Sequence, residues 1–218
     1  MVDAVVQDLN TAQELAKQDL GATLAQPLPH GRSPMDSRAA LQVAHWMLQI
    51  RPKAQMAIFN TAGVRADLDA GPVTYGGMFE LFPFDNRFAI GKVKVASVRK
   101  LLRDSYTHGS SFSVAGVQVK VTCKGSDIDV AILRNKRPLK DTDTLSIVAS
   151  DYLVTTPKFA QAGLDEKLFT IEDDPVIREA IVDMVRNKGK LDIVQGNTLE
   201  IPGSWPVQCP ATPAKDGK

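Results

Sequence analysis

The stretch that decides the fold is "NTAGVRADLDAGPVTYGGMFELFPFDNRF", residues 60–88. It follows "AQMAIF", a short apolar run of the kind that forms a buried strand. Asn60 and Arg65 place an amide and a guanidinium five residues apart, among small residues that let a ligand approach the backbone. Such an arginine can fork onto phosphate or ribose oxygens. The alternative is an ordinary turn, in which Arg65 pairs with Asp67 or Asp69.

Aromatic residues follow this turn at high density, with four phenylalanines within the ten residues of "FELFPFDNRF". Three of them are expected in the core, because aromatic side chains at this density usually bury. Phe84 comes directly after a proline, so a turn could hold its ring exposed as a flat stacking surface. Tyr152, in "SDYLVTT", would offer a second ring. Two facing rings can sandwich a planar base through their π-faces, with little hydrogen bonding.

Composition sets broad limits on the class of protein. The chain has 218 residues, of which 44% are hydrophobic and 23% charged, as in ordinary globular domains. This length supports a core that needs no metal or disulfide. The net charge of +1 creates no field that favours nucleic acid or an anionic membrane. Neither a transmembrane span nor a signal peptide is predicted, since no uninterrupted apolar run has the required length and place.

Hydrophobic spacing predicts four main helices, the first covering residues 2–19. The residues predicted to cap or end the others are Asp36 or Ser37, Ser97, Asp174 with Pro175 at the first helical position, and Gly189. Strands are predicted at "AQMAIF", "RFAIGKVKV", "SFSVAGVQVKVTC", "DIDVAILRN" and "TLSIVAS". Because no repeat or low-complexity block divides these elements, the chain is expected to be one α/β domain.

Histidines and cysteines give no metal-site pattern. His30, His45 and His108 lie in separate segments, and no HxH, DxH or HExxH motif is present, so no metal centre is predicted within the chain. His45 is expected at the edge of the core. A disulfide between Cys123 and Cys209 is an option if the protein is exported.

Residues 60–88 closely resemble the C-terminal domain of the 5'-nucleotidase family, whose pattern reads N-x-G-G-[IV]-R, then G-x-[IV]-T-[YW], then P-F-x-N. The segments "LGATLAQPLPHGRSPMDSRAALQVAHWML", "VASVRKLLRDSYTHG" and "RPLKDTDTLSIVASDYL" are similar to the family's elements before and after it. The resemblance implies an α/β fold of mixed β-sheets layered with helices over residues 20–200. An interdomain-type helix would precede it at residues 1–19, and a proline-rich, irregular tail would follow at residues 201–218.

The resemblance also implies a set of substrate-binding residues. Asn60 and Arg65 match the family residues that grip the base, ribose and phosphate side of a nucleotide. Phe84 matches one ring of the family's base sandwich, and Tyr152 falls where the other ring lies, usually a phenylalanine. These four residues are therefore the predicted binding site.

Several positions depart from the family pattern. A further family arginine has its counterpart in Arg32 or Arg38. Members normally follow the second aromatic with G-G-D-G-[FY], whose aspartate holds the ribose hydroxyls. Here that turn is missing and Lys158 lies near its place, while Thr61 and Ala62 replace small glycines. A nucleotide is therefore expected to bind weakly, or the ligand is expected to differ.

Family members hydrolyse phosphoesters in a separate N-terminal metallophosphatase domain that holds two metal ions. No catalytic residue and no cofactor are predicted in this chain, because the D-x-H, G-N-H-[DE] and G-H-x-H segments of that domain are missing from it. The leading interpretation is a nucleotide- or nucleoside-binding substrate-specificity domain. The alternatives are a degenerate, non-catalytic interaction module and the substrate domain of a thiosulfohydrolase-like relative. By resemblance the protein is expected to be periplasmic or secreted, which would favour the Cys123–Cys209 bridge.

Overall fold

The structure, a computed structural model, describes residues 2–210, with side chains from residue 7 onward. Its seven α-helices are α1 (Val2–Lys17), α2 (Arg38–Ile50), α3 (Tyr75–Leu81), α4 (Val95–Thr107), α5 (Asp151–Val154), α6 (Pro157–Gln161) and α7 (Ile177–Lys188). Its strands are β1 (Asp19–Leu24), β2 (Met56–Asn60), β3 (Gly71–Thr74), β4 (Arg87–Lys94), β5 (Phe112–Ala115), β6 (Gln118–Lys124), β7 (Asp127–Arg134), β8 (Arg137–Pro138), β9 (Thr144–Ser150), β10 (Phe169–Val176) and β11 (Leu199–Glu200). Single 3₁₀ turns lie at Thr61–Gly63 and Glu166–Leu168.

A mixed five-stranded sheet with the order β10-β4-β9-β2-β5 forms the centre of the fold. Strands β2 and β9 run parallel, and the other pairs in this sheet are antiparallel. A second sheet has the order β11-β6-β7-β8, and β1 pairs with β3 in a two-stranded ribbon. The α/β fold with mixed sheets and helices is thereby confirmed.

The central sheet buries both of its faces. Along β2 the side chains alternate, so that Met56 and Ile58 enter one core while Ala57 and Phe59 enter the other. Helix α4 and the four-stranded sheet cover the first face, and α2, α7 and the β1–β3 ribbon cover the second. A strand that is buried on both faces needs apolar side chains on both, which explains the continuous apolar run "MAIF" in β2.

Several of the predicted helix signals are present. The Ser37 hydroxyl oxygen accepts a hydrogen bond from the Ala40 backbone N–H at 3.3 Å and so caps α2. Gly189 ends α7 in the left-handed conformation, with φ of 61°. His45 lies half-buried at the core edge, with Nε2 3.0 Å from the Gln49 side-chain nitrogen, and burial lowers the pKa of its imidazole.

Two predicted helix starts are wrong. Helix α4 begins at Val95 rather than after Ser97, because β4 leads directly into it and Lys94 takes the cap position without a side-chain cap. Helix α7 begins at Ile177, since Asp174 and Pro175 belong to β10. The pairing of β10 with β4 is interrupted after Ile171 and resumes at Val176, opposite Arg87, and the helix begins only after this last pair.

The segment "SFSVAGVQVKVTC" is two strands rather than one. Strand β5 belongs to the central sheet and β6 to the four-stranded sheet. The break falls at Gly116, whose φ is 84°, and a Cβ there would lie 2.4 Å from the Gln55 carbonyl oxygen. Only a glycine lets the chain turn so closely against that backbone.

The expectation that three of the four phenylalanines in "FELFPFDNRF" are core residues is also wrong. Phe82 and Phe88 are fully buried, whereas Phe79 is 44% exposed and Phe84 is half-buried. Phe79 lies against the Arg178 guanidinium, 4.7 Å from the ring centroid, and this cation–π contact occupies its exposed ring.

The two ends of the described chain can be compared with the predicted N-terminal helix and the predicted C-terminal tail. Helix α1 ends at Lys17, so that Asp19 begins β1. Residues 201–210 form no helix or strand, but Cys209 is bonded to Cys123 and Val207 is buried, so this part of the tail is packed. Residues 211–218 of the predicted tail lie outside the described residues. No helix in the described range is long and apolar enough to cross a membrane.

Candidate functional site

The predicted binding residues lie at one edge of the central sheet. Strands β2 and β9 are parallel neighbours, so Asn60, which ends β2, and Tyr152, just after β9, lie at the same edge. The antiparallel partner β5 begins at that edge, because Phe112 lies opposite Asn60. Strand β4, which follows the loop with Phe84, starts there too, since its register pairs it with the end of β9.

A cleft of about 880 Å³ opens at this edge. Its lining residues come from the β1–α2 connection, the end of β2, the α4–β5 loop and helices α5 and α6: His30, Gly31, Arg32, Asn60, Thr61, Ala62, Val64, Arg65, Gly109, Ser110, Ser111, Phe112, Tyr152, Leu153, Thr156, Pro157, Lys158 and Gln161. The structure thus brings Asn60, Arg65 and Tyr152 together. Phe84 is not among the lining residues.

The 3₁₀ turn after β2 is held from two sides. The Thr61 N–H donates to the Ser111 carbonyl at 3.0 Å, and the Ser111 hydroxyl donates to Thr61 Oγ1 at 2.6 Å. A Cβ at Gly63 would lie 2.7 Å from the Phe59 ring and 3.1 Å from Asn60 Oδ1. The glycine therefore serves the protein's own packing, because it leaves room for the Phe59 ring and for the Asn60 amide.

Arg65 lies over an aromatic ring rather than beside a carboxylate. Its guanidinium carbon is 5.1 Å from the centroid of the Phe84 ring, and its backbone N–H donates to the Leu81 carbonyl at 3.0 Å. Phe84 in turn packs edge-on against Phe82 at 5.8 Å. Within residues 2–210 the Arg65 side chain makes no hydrogen bond or ion pair, so its donors remain available to a ligand.

Asp67, the residue considered as a partner for Arg65, bonds to His30 instead. Its carboxylate accepts the His30 backbone N–H at 2.8 Å and lies 2.6 Å from His30 Nδ1. The backbone hydrogen bond, followed by the one from the side chain, lowers the pKa of Asp67. Arg65 forms no ion pair with Asp67 or Asp69 in the described residues, so the alternative of a simple turn with Arg65 paired to one of these aspartates is wrong.

Tyr152 presents an open ring to the cleft, with 57% of the residue exposed. Its helix is capped by Ser150, whose hydroxyl oxygen accepts the Leu153 N–H at 3.3 Å. The Asp151 carboxylate accepts the Tyr152 N–H at 2.7 Å. These bonds fix the backbone of the turn and leave the ring free to stack.

Of the two arginines considered upstream, only Arg32 lines the cleft. Arg38 donates to the carbonyl oxygens of Val194 and Gly196, at 2.8 and 3.3 Å, and so anchors the segment after α7. Arg32 is exposed, and its side chain has no hydrogen-bond or ion-pair partner within residues 2–210. Of the two arginines, Arg32 is thus the one placed to contact a ligand in the cleft, and its match to the additional family arginine stays a prediction.

Sequence reasoning missed most of the lining from the α4–β5 loop. Ser110 and Ser111 stand in "HGSSF", a plain helix-to-strand connection with no motif that could have singled them out. Lys158 was noted only as a departure from the family pattern. It lies in the cleft and donates a hydrogen bond to the Ser110 hydroxyl oxygen. No Asp or Glu is among the lining residues that the structure describes, so the cleft is positively charged.

The described part of the chain contains no group of three or more His, Cys, Asp or Glu side chains that could hold a metal ion.

Comparison with known proteins defines the class. The model of the family described as 5'-nucleotidase, C-terminal domain, matches residues 20–161, and the chain belongs to this family. The chain is similar to the trifunctional nucleotide phosphoesterase protein YfkN of Bacillus subtilis (strain 168), with 28% identity over 118 residues. This match covers 51% of the chain and 8% of that protein.

Solved structures share the fold. The 5'-nucleotidase precursor from Thermus thermophilus superposes with a TM-score of 0.76 at 18% identity, over 93% of this chain and 43% of that one. The sulfate thiohydrolase SoxB of the same organism, in complex with glycerol, has a TM-score of 0.70 at 14% identity, over 93% of this chain and 39% of that one. The chain thus spans less than half the length of these proteins.

Proposed function

We propose that this chain is the nucleotide- or nucleoside-binding substrate-specificity domain of a 5'-nucleotidase-type metallophosphohydrolase. The observation that carries the proposal is the Arg65 guanidinium, which faces the same cleft as Asn60 and Tyr152. It lies over the Phe84 ring and has no hydrogen-bond or ion-pair partner within residues 2–210. An unpaired guanidinium in a concave site favours an anionic or oxygen-rich ligand.

Each binding residue has a role in this proposal. Arg65 donates to phosphate or ribose oxygens, and Asn60 offers an amide donor and acceptor to the polar edge of a base. Tyr152 stacks on the base with its open ring. Phe84 supplies the second ring; a base that stacked on the face now beneath Arg65 would displace that guanidinium.

Cleavage belongs to a different part of the enzyme in this proposal. A divalent metal pair in a separate N-terminal metallophosphatase domain would clamp the phosphate and activate water. The chain described here binds and orients the substrate. Alone it is expected to bind a nucleotide without hydrolysing it.

Isothermal titration calorimetry with AMP and adenosine tests the proposal. AMP is expected to bind, and Arg65→Ala is expected to weaken it roughly 10- to 100-fold, because a hydrogen bond to a charged group contributes about 1.5–3 kcal/mol. Phe84→Ala is also expected to weaken the binding of AMP. Arg137→Ala on the exposed strand β8 is the matched control and leaves affinity unchanged. The absence of heat with every nucleotide would contradict the proposal.

A second candidate is the substrate domain of a thiosulfohydrolase-like enzyme. It is favoured by the lack of a carboxylate among the described lining residues, since a ribose diol would find no charged acceptor there. Thiosulfate and sulfate in the same calorimeter distinguish the two candidates. If Arg65→Ala does not change the affinity for any of these ligands, the degenerate interaction module is the better account.

We also propose that the protein is periplasmic or secreted. The Cys123–Cys209 disulfide supports this placement, because disulfides persist in oxidising compartments. Cell fractionation tests this placement, and recovery of the protein in the cytoplasmic fraction would contradict it.

A further inference from the structure

We propose that the α6 end of the cleft is a separate oxyanion subsite, formed by Lys158, Ser110 and Gln161, here called the Lys158 corner. It would bind a phosphate, sulfate or carboxylate group of the ligand, in addition to the group held at Arg65. The inference rests on the proposed function only in taking the cleft as a ligand site.

Lys158 is a half-buried cation whose charge is not balanced. Its ammonium donates to the Ser110 hydroxyl oxygen and makes no ion pair within residues 2–210. An ammonium has three donors, so two remain for a ligand. Partial burial removes water from the charge, and an anion in the cleft restores the lost stabilisation.

Ser110 and Gln161 can complete the corner. When the Ser110 oxygen accepts from Lys158, its own O–H is free to donate to an oxyanion. Gln161 lies three residues after Lys158 on α6, so both side chains share a helix face, and both line the cleft. The residues of the Lys158 corner thus add ammonium, hydroxyl and amide donors to this end of the cleft lining.

The charge of the whole cleft supports an anion at this place. Arg32, Arg65 and Lys158 are its cationic lining residues, and no carboxylate is among the described residues that line it. The Asp67 carboxylate is engaged by His30. A ligand with two anionic groups, or with one extended anionic group, would satisfy both Arg65, which follows β2, and Lys158 on α6.

The test compares ligands that differ by one phosphate. Adenosine 3',5'-bisphosphate and adenosine 2',5'-bisphosphate are titrated against AMP by calorimetry at low salt. At least one bisphosphate is expected to bind about 10-fold tighter than AMP, as one charge-assisted contact allows. Lys158→Met is expected to abolish this gain, and Lys158→Arg to retain part of it. Lys167→Met, on the exposed 3₁₀ turn outside the cleft, is the control that keeps it.

The outcomes separate this inference from the proposed function. If AMP binds but neither bisphosphate gains affinity, or if the gain survives in Lys158→Met, the Lys158 corner is overturned and nucleotide binding stands. If no nucleotide binds, inorganic phosphate is used as the probe, and its binding is measured by line broadening in ³¹P NMR. Broadening that Lys158→Met removes and Lys167→Met keeps supports the corner, and broadening that is equal in both variants or missing in the wild type overturns it. Circular dichroism verifies that each variant is folded.

Discussion

Gly63 shows how closely the binding turn is packed. The missing side chain leaves room for the Phe59 ring below and for Asn60 Oδ1 beside it. Phe59 is fully buried in the core that α2 and α7 share, so it cannot move far. Any atom added at residue 63 must therefore push on the Asn60 amide or on the turn that carries Arg65.

Gly63→Ala is expected to reduce both stability and binding. Overpacking of this kind costs about 1–3 kcal/mol in the free energy of unfolding. Chemical denaturation measures the loss of stability, and calorimetry with AMP measures the loss of affinity. Gly77→Ala in α3 is the matched control, because its new Cβ would meet a flexible Leu68 methyl group at 3.3 Å. Equal stability of the Gly63 variant and the wild type would contradict the packing argument.

At the residue scale, the sequence pattern identified residues that line the cleft but did not predict the contacts around them. Asn60, Arg65 and Tyr152 were selected by resemblance and line one cleft, although their roles stay predictions. The partner of Asp67 could not be predicted from local spacing. It is His30, which lies 37 residues away and reaches Asp67 only after the chain has folded. Ser110 was missed for the same reason, because its place in the cleft depends on β5 pairing with β2.

Among the elements, the segment at residues 201–210 packs against α4 and the α4–β5 loop, which lines the cleft. The Trp205 ring packs edge-on against Tyr106 of α4 at 5.2 Å, and the Val207 N–H donates to the Tyr106 carbonyl at 3.2 Å. Pro206 lies 3.7 Å from the position of a Cβ at Gly109, a lining residue of the cleft. The disulfide from Cys209 to β6 holds this segment in place.

Loss of the disulfide is expected to loosen the segment. A bridge across 86 residues stabilises a fold by about 2–4 kcal/mol, so reduction is expected to lower Tm by roughly 5–15 °C. Affinity for AMP is expected to fall less than in Arg65→Ala, since the segment acts only through the α4–β5 loop. Thermal unfolding with and without reductant measures the effect. The double variant Cys123→Ser, Cys209→Ser must be insensitive to reductant, and an unchanged Tm on reduction of the wild type would contradict the account.

Element boundaries were predictable where the signal is local. Ser37 and Gly189 act on backbone groups within a few residues. Gly189 was identified correctly, and Ser37 was one of the two predicted cap residues of α2. The starts of α4 and α7 were not, because β4 extends by pairing with β9 and β10 extends by pairing with β4. That pairing outweighs the capping preference of Ser97 and the helix-start signal of Asp174 with Pro175.

For the whole molecule, the strand order creates the site. Segments around residues 60, 84, 110 and 152 meet at one sheet edge because β2, β4, β5 and β9 begin or end there. Spacing along the chain contains no record of this strand order, which was not predicted. The resemblance to a known family only grouped Asn60, Arg65, Phe84 and Tyr152 as one predicted site. The same resemblance suggested nucleotide binding, and the cationic cleft without a described carboxylate favours ligands richer in negative charge.

The central claim is that this edge of the sheet binds a nucleotide, and amide chemical-shift mapping with AMP tests it most directly. The account predicts the largest ¹H–¹⁵N shift changes at Asn60, Arg65 and Tyr152, with smaller changes along the α4–β5 loop. Shift changes confined to the shallow depression near Asn135 and Lys136, or no changes at millimolar AMP, would contradict it.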